Sequence, residues 1–129
     1  MTRKTSLIIH WIATVAFVVP LVWSAFQYLT EAPKMVETMT VHLGYPMYFL
    51  TILGVAKLLG AAALLVSRPV RLKEWAYAGF TFDLIGAFVS HLAVGDPLTT
   101  ALIPVGFLAL MLVSYATWRR AAHWQLTER

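Results

Sequence analysis

The chain has 129 residues, of which 60% are hydrophobic and 12% are charged, and its mean hydropathy is +0.73. This composition excludes an ordinary soluble domain and predicts an integral membrane protein. The formal charge of +4 does not indicate nucleic-acid binding, because the basic residues stand at the ends of apolar segments rather than along one stripe. The lack of cysteine excludes disulfides, thiolate metal sites and a thiol redox couple.

Four apolar segments have about the ~20 residues that a helix needs to cross a bilayer. They cover residues 6–29, 46–66, 74–94 and 98–118. The connections are short, and no repeat or second domain is evident. The sequence therefore predicts an all-α fold, a single antiparallel four-helix transmembrane bundle over residues 1–129.

The residues between the segments indicate where the helices end. Gly95 is expected to end the third helix and Asp96 to cap the fourth, with Pro97 in its first turn. The longest connection, residues 30–45, has apolar residues at near-helical spacing. We expect a short helix there, lying along the outer interface.

The distribution of basic residues predicts the topology. An even number of spans places both termini on one side of the membrane, and Lys34 is the basic residue of the opposite side. The basic residues on the side of the termini are Arg3, Lys4, Arg68, Arg71, Lys73, Arg119, Arg120 and Arg129. Both termini are therefore predicted to be cytoplasmic.

Two lone charges, Lys57 and Asp83, lie near the middle of the second and third segments. Each is about equally far from the basic turn between those segments, roughly 15 Å into the membrane. A charge at that depth costs roughly 2.5 to 3.5 kcal/mol, so we expect the two to form an intramembrane ion pair. Two interpretations remain open, a structural pin or the lining of a ligand or proton pathway.

Small residues accompany both charges. On the third segment one face carries Gly79, Asp83, Gly86, Ala87 and Ser90, and on the second Gly54, Gly60 and Ala61 lie on the side of Lys57. Small residues allow two helices to approach closely in lipid. We therefore expect direct packing between these faces.

Polar residues predict a cluster near the outer face, where His42 and His91 are at similar depth to Tyr45, Asp96 and Gln27. Imidazoles there could hold a quinone carbonyl, ligate haem iron, or simply bond loop carbonyls and water. The sequence does not determine a cofactor. A quinone is compatible with these residues, and haem is less compatible with them, because His42 precedes the regular helix.

The candidate ligand-binding residues are His42, Tyr45, Lys57, Asp83 and His91. They follow no metal-ligand or nucleophile pattern, so no metal site, catalytic residue or hydrolase activity is predicted. His10 and His123, at the cytoplasmic end, are expected to be solvated or to reach the interface.

Two runs of residues resemble a known family. The first run, from His42 to Phe49, contains Gly-Tyr-Pro, and the second, from Leu72 to Phe80, contains Trp-Ala-Tyr-Ala-Gly-Phe. With Lys57 and the residues after Asp83, they resemble the DoxX-like family of small four-span bacterial membrane proteins, over about residues 7–118.

This resemblance implies a multi-pass protein of the bacterial cytoplasmic membrane. The family is named for a subunit associated with quinone-linked sulfur oxidation, so it also implies a link to membrane redox chemistry. It assigns no catalytic residue. The positions that match it are His42, Gly44, Tyr45, Pro46, Lys57, Trp75, Tyr77, Asp83, His91 and Asp96. Without cysteine or a flavin or nicotinamide fingerprint, the chain could move electrons only with a bound quinone or haem.

Three function hypotheses follow. The leading one is an accessory membrane protein that holds a small hydrophobic ligand such as a quinone in a pocket between the helices. The second is a small transporter or proton-coupled carrier in which Asp83 titrates. The third is a structural or assembly partner, which uses its small-residue faces to form a homo-oligomer or to bind a membrane redox partner.

Overall fold

The structure is a computed structural model that describes residues 2–66 and 69–127, with side chains described up to residue 122. In this part of the chain all regular structure is helical, which confirms the predicted fold class. The elements are α1 (Arg3–Leu29), α2 (Pro33–Val36), a π-helix (Glu37–His42), α3 (Met47–Leu65), α4 (Val70–Ala93) and α5 (Leu98–Thr127).

The four long helices match the four predicted spans, and each is long and apolar enough to cross a membrane. They form an antiparallel ring in the order α1, α3, α4 and α5, and α5 packs back onto α1. Large apolar side chains such as Ile12 and Phe82 point outward and are 66% and 76% exposed. This outward apolar surface is typical of helices that face lipid.

The two ends of the bundle differ in content. At one end, which we call the terminal end, α1 begins and α5 finishes; α2, the π-helix and the loop at residues 94–97 lie at the other, which we call the distal end. A layer of buried apolar side chains from all four long helices separates the two ends. This apolar layer consists of Phe17, Val18, Leu21, Ala61, Leu64, Tyr77, Phe80 and Met111.

Helix α4 begins at Val70 rather than at the predicted residue 74. Arg71 and Lys73 therefore lie inside a helix, and their predicted position in a loop is wrong. Arg68 and Arg129, two of the predicted topology charges, lie outside the described residues, as does the side chain of His123.

The long connection between the first two spans is helical, as predicted. Its α2 helix and π-helix pack across the distal end, where Met39 is buried and its sulfur accepts a hydrogen bond of 3.7 Å from the Tyr28 hydroxyl. A π-helix is rare and commonly lies at a functional site. This segment forms one wall of the cavity described below.

Candidate functional site

The predicted polar cluster at the distal end is organised around Asp96. Nε2 of His42 donates a hydrogen bond of 2.6 Å to one oxygen of its carboxylate, and Nδ1 of His91 donates one of 2.6 Å to the other. The side chain of Asp96 is 12% exposed. One carboxylate therefore joins the π-helix to α4.

The end of α4 explains why Asp96 reaches His91. Gly95 adopts a positive φ of 79°, its N–H donates to the carbonyl of Leu92, and the N–H of Asp96 donates to the carbonyl of His91. This pair of bonds is a Schellman motif, which favours glycine at its left-handed position. Gly95 ends the helix as predicted, but the carboxylate of Asp96 binds the two histidines and not the first turn of α5.

The same hydrogen bonds affect ionisation. The bond from His91, and secondarily the bond from His42, holds the pKa of Asp96 below its ordinary value of 3.8. These bonds act because they stabilise the charged form of the acid. Asp96 is therefore an anion throughout the neutral pH range, and in this form it accepts a hydrogen bond from each imidazole.

A cavity of about 630 Å³ lies beneath this cluster, between the helices of the distal half. Four of the five candidate ligand-binding residues line it, namely Tyr45, Lys57, Asp83 and His91. The fifth, His42, does not line the cavity and acts instead as the second partner of Asp96. The sequence thus selected four residues of the polar wall, which also includes Ser24, Tyr28, Thr38 and Ser90.

The small face of α4 forms another wall of this distal cavity. Gly79, Asp83, Gly86, Ala87 and Ser90 all line it. A Cβ atom added at Gly79 or Gly86 would meet no atom within 4 Å. The predicted direct packing of this face against α3 is therefore wrong, because the small side chains leave space that the neighbouring helix does not fill.

The glycines of α3 behave differently. A Cβ atom added at Gly54 would lie 2.7 Å from the side chain of Leu29 on α1, and one added at Gly60 would lie 2.5 Å from the ring of Phe80 on α4. Both glycines permit close helix contact, as small residues do in lipid. Close packing of α3 is therefore real, but it involves α1 as well as α4.

The predicted ion pair between Lys57 and Asp83 is not formed as a direct contact, since no N···O distance of 4.0 Å or less joins these two described residues. Nζ of Lys57 instead donates to Oγ of Ser24 at 3.0 Å and lies 4.5 Å from the centre of the Tyr28 ring. Both partners belong to α1. The two charges line the same cavity, so any interaction between them acts across it.

The remaining polar groups of the cavity have defined hydrogen-bond roles. The Tyr45 hydroxyl bonds to Oγ of Ser90, which in turn donates to the carbonyl of Gly86 at 2.7 Å. Because Nδ1 of His91 carries the proton donated to Asp96, Nε2 of a neutral His91 is an acceptor. The cavity therefore offers the Lys57 ammonium as a donor and His91 Nε2 and the Asp83 carboxylate as acceptors.

A second polar network lies at the terminal end, on the other side of the apolar layer, and sequence reasoning missed it. Nδ1 of His10 donates to the carbonyl of Ser114 at 2.8 Å, so Nε2 is left to accept from Nζ of Lys73 at 3.3 Å. Lys73 is only 2% exposed, and its Nζ lies 5.5 Å and 5.0 Å from the ring centres of Trp11 and Trp118. His10 is 1% exposed, so its predicted solvation is wrong.

Hydroxyl groups complete this terminal network. Oγ of Ser114 lies 2.6 Å from Oγ1 of Thr14 and 2.7 Å from the Tyr77 hydroxyl, so the network joins α1, α4 and α5. A signal for it was present in the sequence. Ser6, His10 and Thr14 recur every fourth residue within an apolar helix, which places them on one face.

The family comparison bears on both regions. The profile of the DoxX-like family matches residues 12–114, which is most of the chain. The chain belongs to the DoxX-like family. This confirms the resemblance drawn from the sequence. In this DoxX-like protein the matched range includes Tyr45, Lys57, Asp83 and His91 of the cavity, and it begins just after His10 of the terminal network.

No curated protein and no solved structure matches the chain. Within the described residues, no group of three His, Asp or Glu side chains is arranged to hold a metal ion. The distal cavity is therefore the feature of this DoxX-like protein that bears most directly on its function.

Proposed function

We propose that this DoxX-like protein is an accessory membrane protein that holds a small hydrophobic molecule with hydrogen-bonding groups, such as a quinone, in the distal cavity. The observation that carries the proposal is the cavity itself. Its volume of about 630 Å³ lies within the range of about 300–1,000 Å³ that is typical of ligand sites. Its wall is mostly apolar, with a few polar groups, which is the usual composition of such a site.

The polar groups suit a quinone ring in either redox state. The Lys57 ammonium makes one hydrogen bond within the described residues and has further N–H groups to donate to a carbonyl. His91 Nε2 and the Asp83 carboxylate can accept from a hydroxyl. Tyr45 and Phe49, whose rings are stacked with centres 4.8 Å apart, supply an aromatic wall beside them. These residues would bind and orient a ligand; no electron-transfer group of the protein's own is proposed.

The apolar layer favours a binding protein over the alternative of a carrier that uses Asp83. A carried ion or proton would have to pass from the distal cavity to the terminal end, and the rings of Phe17 and Phe80 pack edge to face in between, with centres 5.4 Å apart. If Asp83→Asn abolished ion or proton flux in proteoliposomes that the wild type supports, the carrier would replace the binding protein.

We also place the protein in a bacterial cytoplasmic membrane with both termini in the cytoplasm. The basic residues at the terminal end support this orientation. The chain has no cysteine, so single-cysteine variants can be labelled without background. An impermeant maleimide added to intact cells should label a Val41→Cys variant at the distal end and not a Lys4→Cys variant; the opposite pattern would reverse the topology.

Ligand binding can be tested with purified protein in mild detergent. We expect mass spectrometry to find co-purified quinone, and a decyl-substituted benzoquinone to bind saturably. Lys57→Met should weaken that binding by at least about tenfold, because it removes a hydrogen-bond donor from the cavity. Lys34→Met, at an exposed lysine outside the cavity, is the matched control and should bind as the wild type does.

Two results would contradict the proposal. One is binding that does not saturate, or that Lys57→Met leaves unchanged. The other is a Soret band in the purified protein, which would show that haem and not a quinone is the native ligand.

A further inference from the structure

A second cavity, of about 330 Å³, lies between α3 and α4. Lys57 and Asp83 are its charged lining residues, and the rest of its wall is aliphatic, aromatic or glycine. It extends from Leu53 towards Leu72 and Trp75 near the terminal end, and Trp75 is 74% exposed on the outer surface. We call this cavity the α3–α4 groove. Its position gives it a long apolar edge that faces the lipid.

The groove borders the distal cavity. The two share four lining residues, Leu53, Lys57, Gly79 and Asp83. The space beside Gly79 is open, since a Cβ atom there would meet nothing within 4 Å. By contrast α3 and α4 touch at Gly60, where an added Cβ would lie 2.5 Å from the Phe80 ring. The passage thus runs beside Gly79, past the two charges.

We propose that the α3–α4 groove holds the apolar tail of the ligand whose polar head occupies the distal cavity. This inference rests on the proposed function and narrows the ligand to an amphiphile with a hydrogen-bonding head and one long alkyl or prenyl tail. Lipid tails are as apolar as leucine, so a tail that leaves through the groove remains in apolar surroundings.

The test uses two ligands that differ only in the tail: the decyl-substituted benzoquinone and the same ring without its tail. Ala56→Phe fills the groove, because Ala56 lines the groove and not the distal cavity. Ala56 is exposed, so the helix can carry the larger ring there and the variant should fold. It should bind the decyl ligand at least about tenfold more weakly than the wild type and bind the tail-less ring normally.

Two further variants sharpen the test. Gly106→Leu is the matched control, because Gly106 also has open space around an added Cβ but lies on α5 and lines neither cavity. It should bind both ligands as the wild type does. Gly79→Leu changes a residue that lines both cavities, so it should weaken the binding of both ligands.

The outcomes separate this inference from the proposed function. If Ala56→Phe binds both ligands normally, the tail does not use the groove, and the distal site stands without it. If Ala56→Phe loses both ligands equally, selectivity for the tail is absent and the groove is again overturned. If the wild type binds neither ligand, the proposed function itself fails. A fatty acid that competes with the decyl ligand in the wild type and not in Ala56→Phe would support the groove as a tail site and extend the tail class from quinones to lipids.

Discussion

Two lysines lie inside the bundle, and their surroundings are opposite. Lys73, at the terminal end, is 2% exposed, donates to His10 and is flanked by two tryptophan rings. Lys57, near the middle of α3, is only partly buried, donates to Ser24 and faces the distal cavity of about 630 Å³. Polar groups occur in both regions, but the larger cavity lies beside Lys57, whereas a cavity of about 290 Å³ borders only Tyr77 of the terminal network. The space open to the charged group, rather than polarity, therefore distinguishes a binding site from a structural network.

The two regions should therefore respond differently to substitution. A closed network whose members depend on one another loses much stability when one member is removed. Charged groups beside an open cavity are available to a ligand, and water can replace a lost partner. Substitutions at the terminal network should change the free energy of unfolding, and those at the distal cavity should change ligand affinity.

The largest effect is expected for His10→Leu. This change leaves the buried Lys73 ammonium without its acceptor, so the free energy of unfolding should fall by about 3 kcal/mol or more. Detergent-induced unfolding followed by circular dichroism measures it. Adding Lys73→Met should recover much of the loss, because no buried charge remains. Additive losses in the double variant would contradict the coupling of these two residues.

A smaller effect is expected for Tyr77→Phe. The change removes the hydroxyl that bonds to Ser114, while Ser114 keeps its bond to Thr14, so the loss should be about 1 kcal/mol in the same unfolding assay. The control is Tyr48→Phe, at a residue that is 68% exposed, which should not change stability. Equal effects of the two changes would show that the buried hydroxyl contributes nothing.

The smallest effect concerns acid pH. Because the pKa of Asp96 is lowered in the folded state, its contribution to stability is complete above about 3.8 and is lost as the pH falls through its lower folded-state value. Asp96→Asn should be less stable than the wild type at neutral pH, and the difference should shrink below pH 3.8. Thermal unfolding as a function of pH measures it.

The acid prediction has its own control in Glu37→Gln. Glu37 is an exposed acid of the π-helix that forms no salt bridge within the described residues. This variant should lose stability at acid pH to the same extent as the wild type. If the stability of the wild type does not change between neutral pH and about pH 3, the role of Asp96 is contradicted.

The sequence predicted the spans because apolar length alone determines them. It also predicted the distal cluster, since His42, His91 and Asp96 lie at helix ends whose depth follows from helix geometry. It predicted the face on which Lys57 and Asp83 lie, but not the distance between their helices. Periodicity shows which residues share a helix face, but it does not show whether the neighbouring helix packs directly against that face.

The terminal network was missed for a related reason. The apolar pattern places the start of α4 at residue 74 and hence Lys73 in a loop, and helix ends are the least certain part of such a prediction. His10 alone indicates little, but Thr14 follows it one turn later on the same face. Their partner Ser114 lies on the last helix, and only the packing of α1 against α5 brings it near.

The central claim is that the distal cavity binds and the terminal network stabilises. Its most direct test measures the affinity for the decyl-substituted benzoquinone together with the free energy of unfolding in Lys57→Met and His10→Leu. Lys57→Met should bind the ligand at least about tenfold more weakly, while its free energy of unfolding changes by less than about 1 kcal/mol. His10→Leu should have a lower free energy of unfolding, but its folded form should bind the ligand with the affinity of the wild type. If His10→Leu weakens binding in the folded protein as much as Lys57→Met does, or if Lys57→Met destabilises as His10→Leu does, the division between the two regions is wrong.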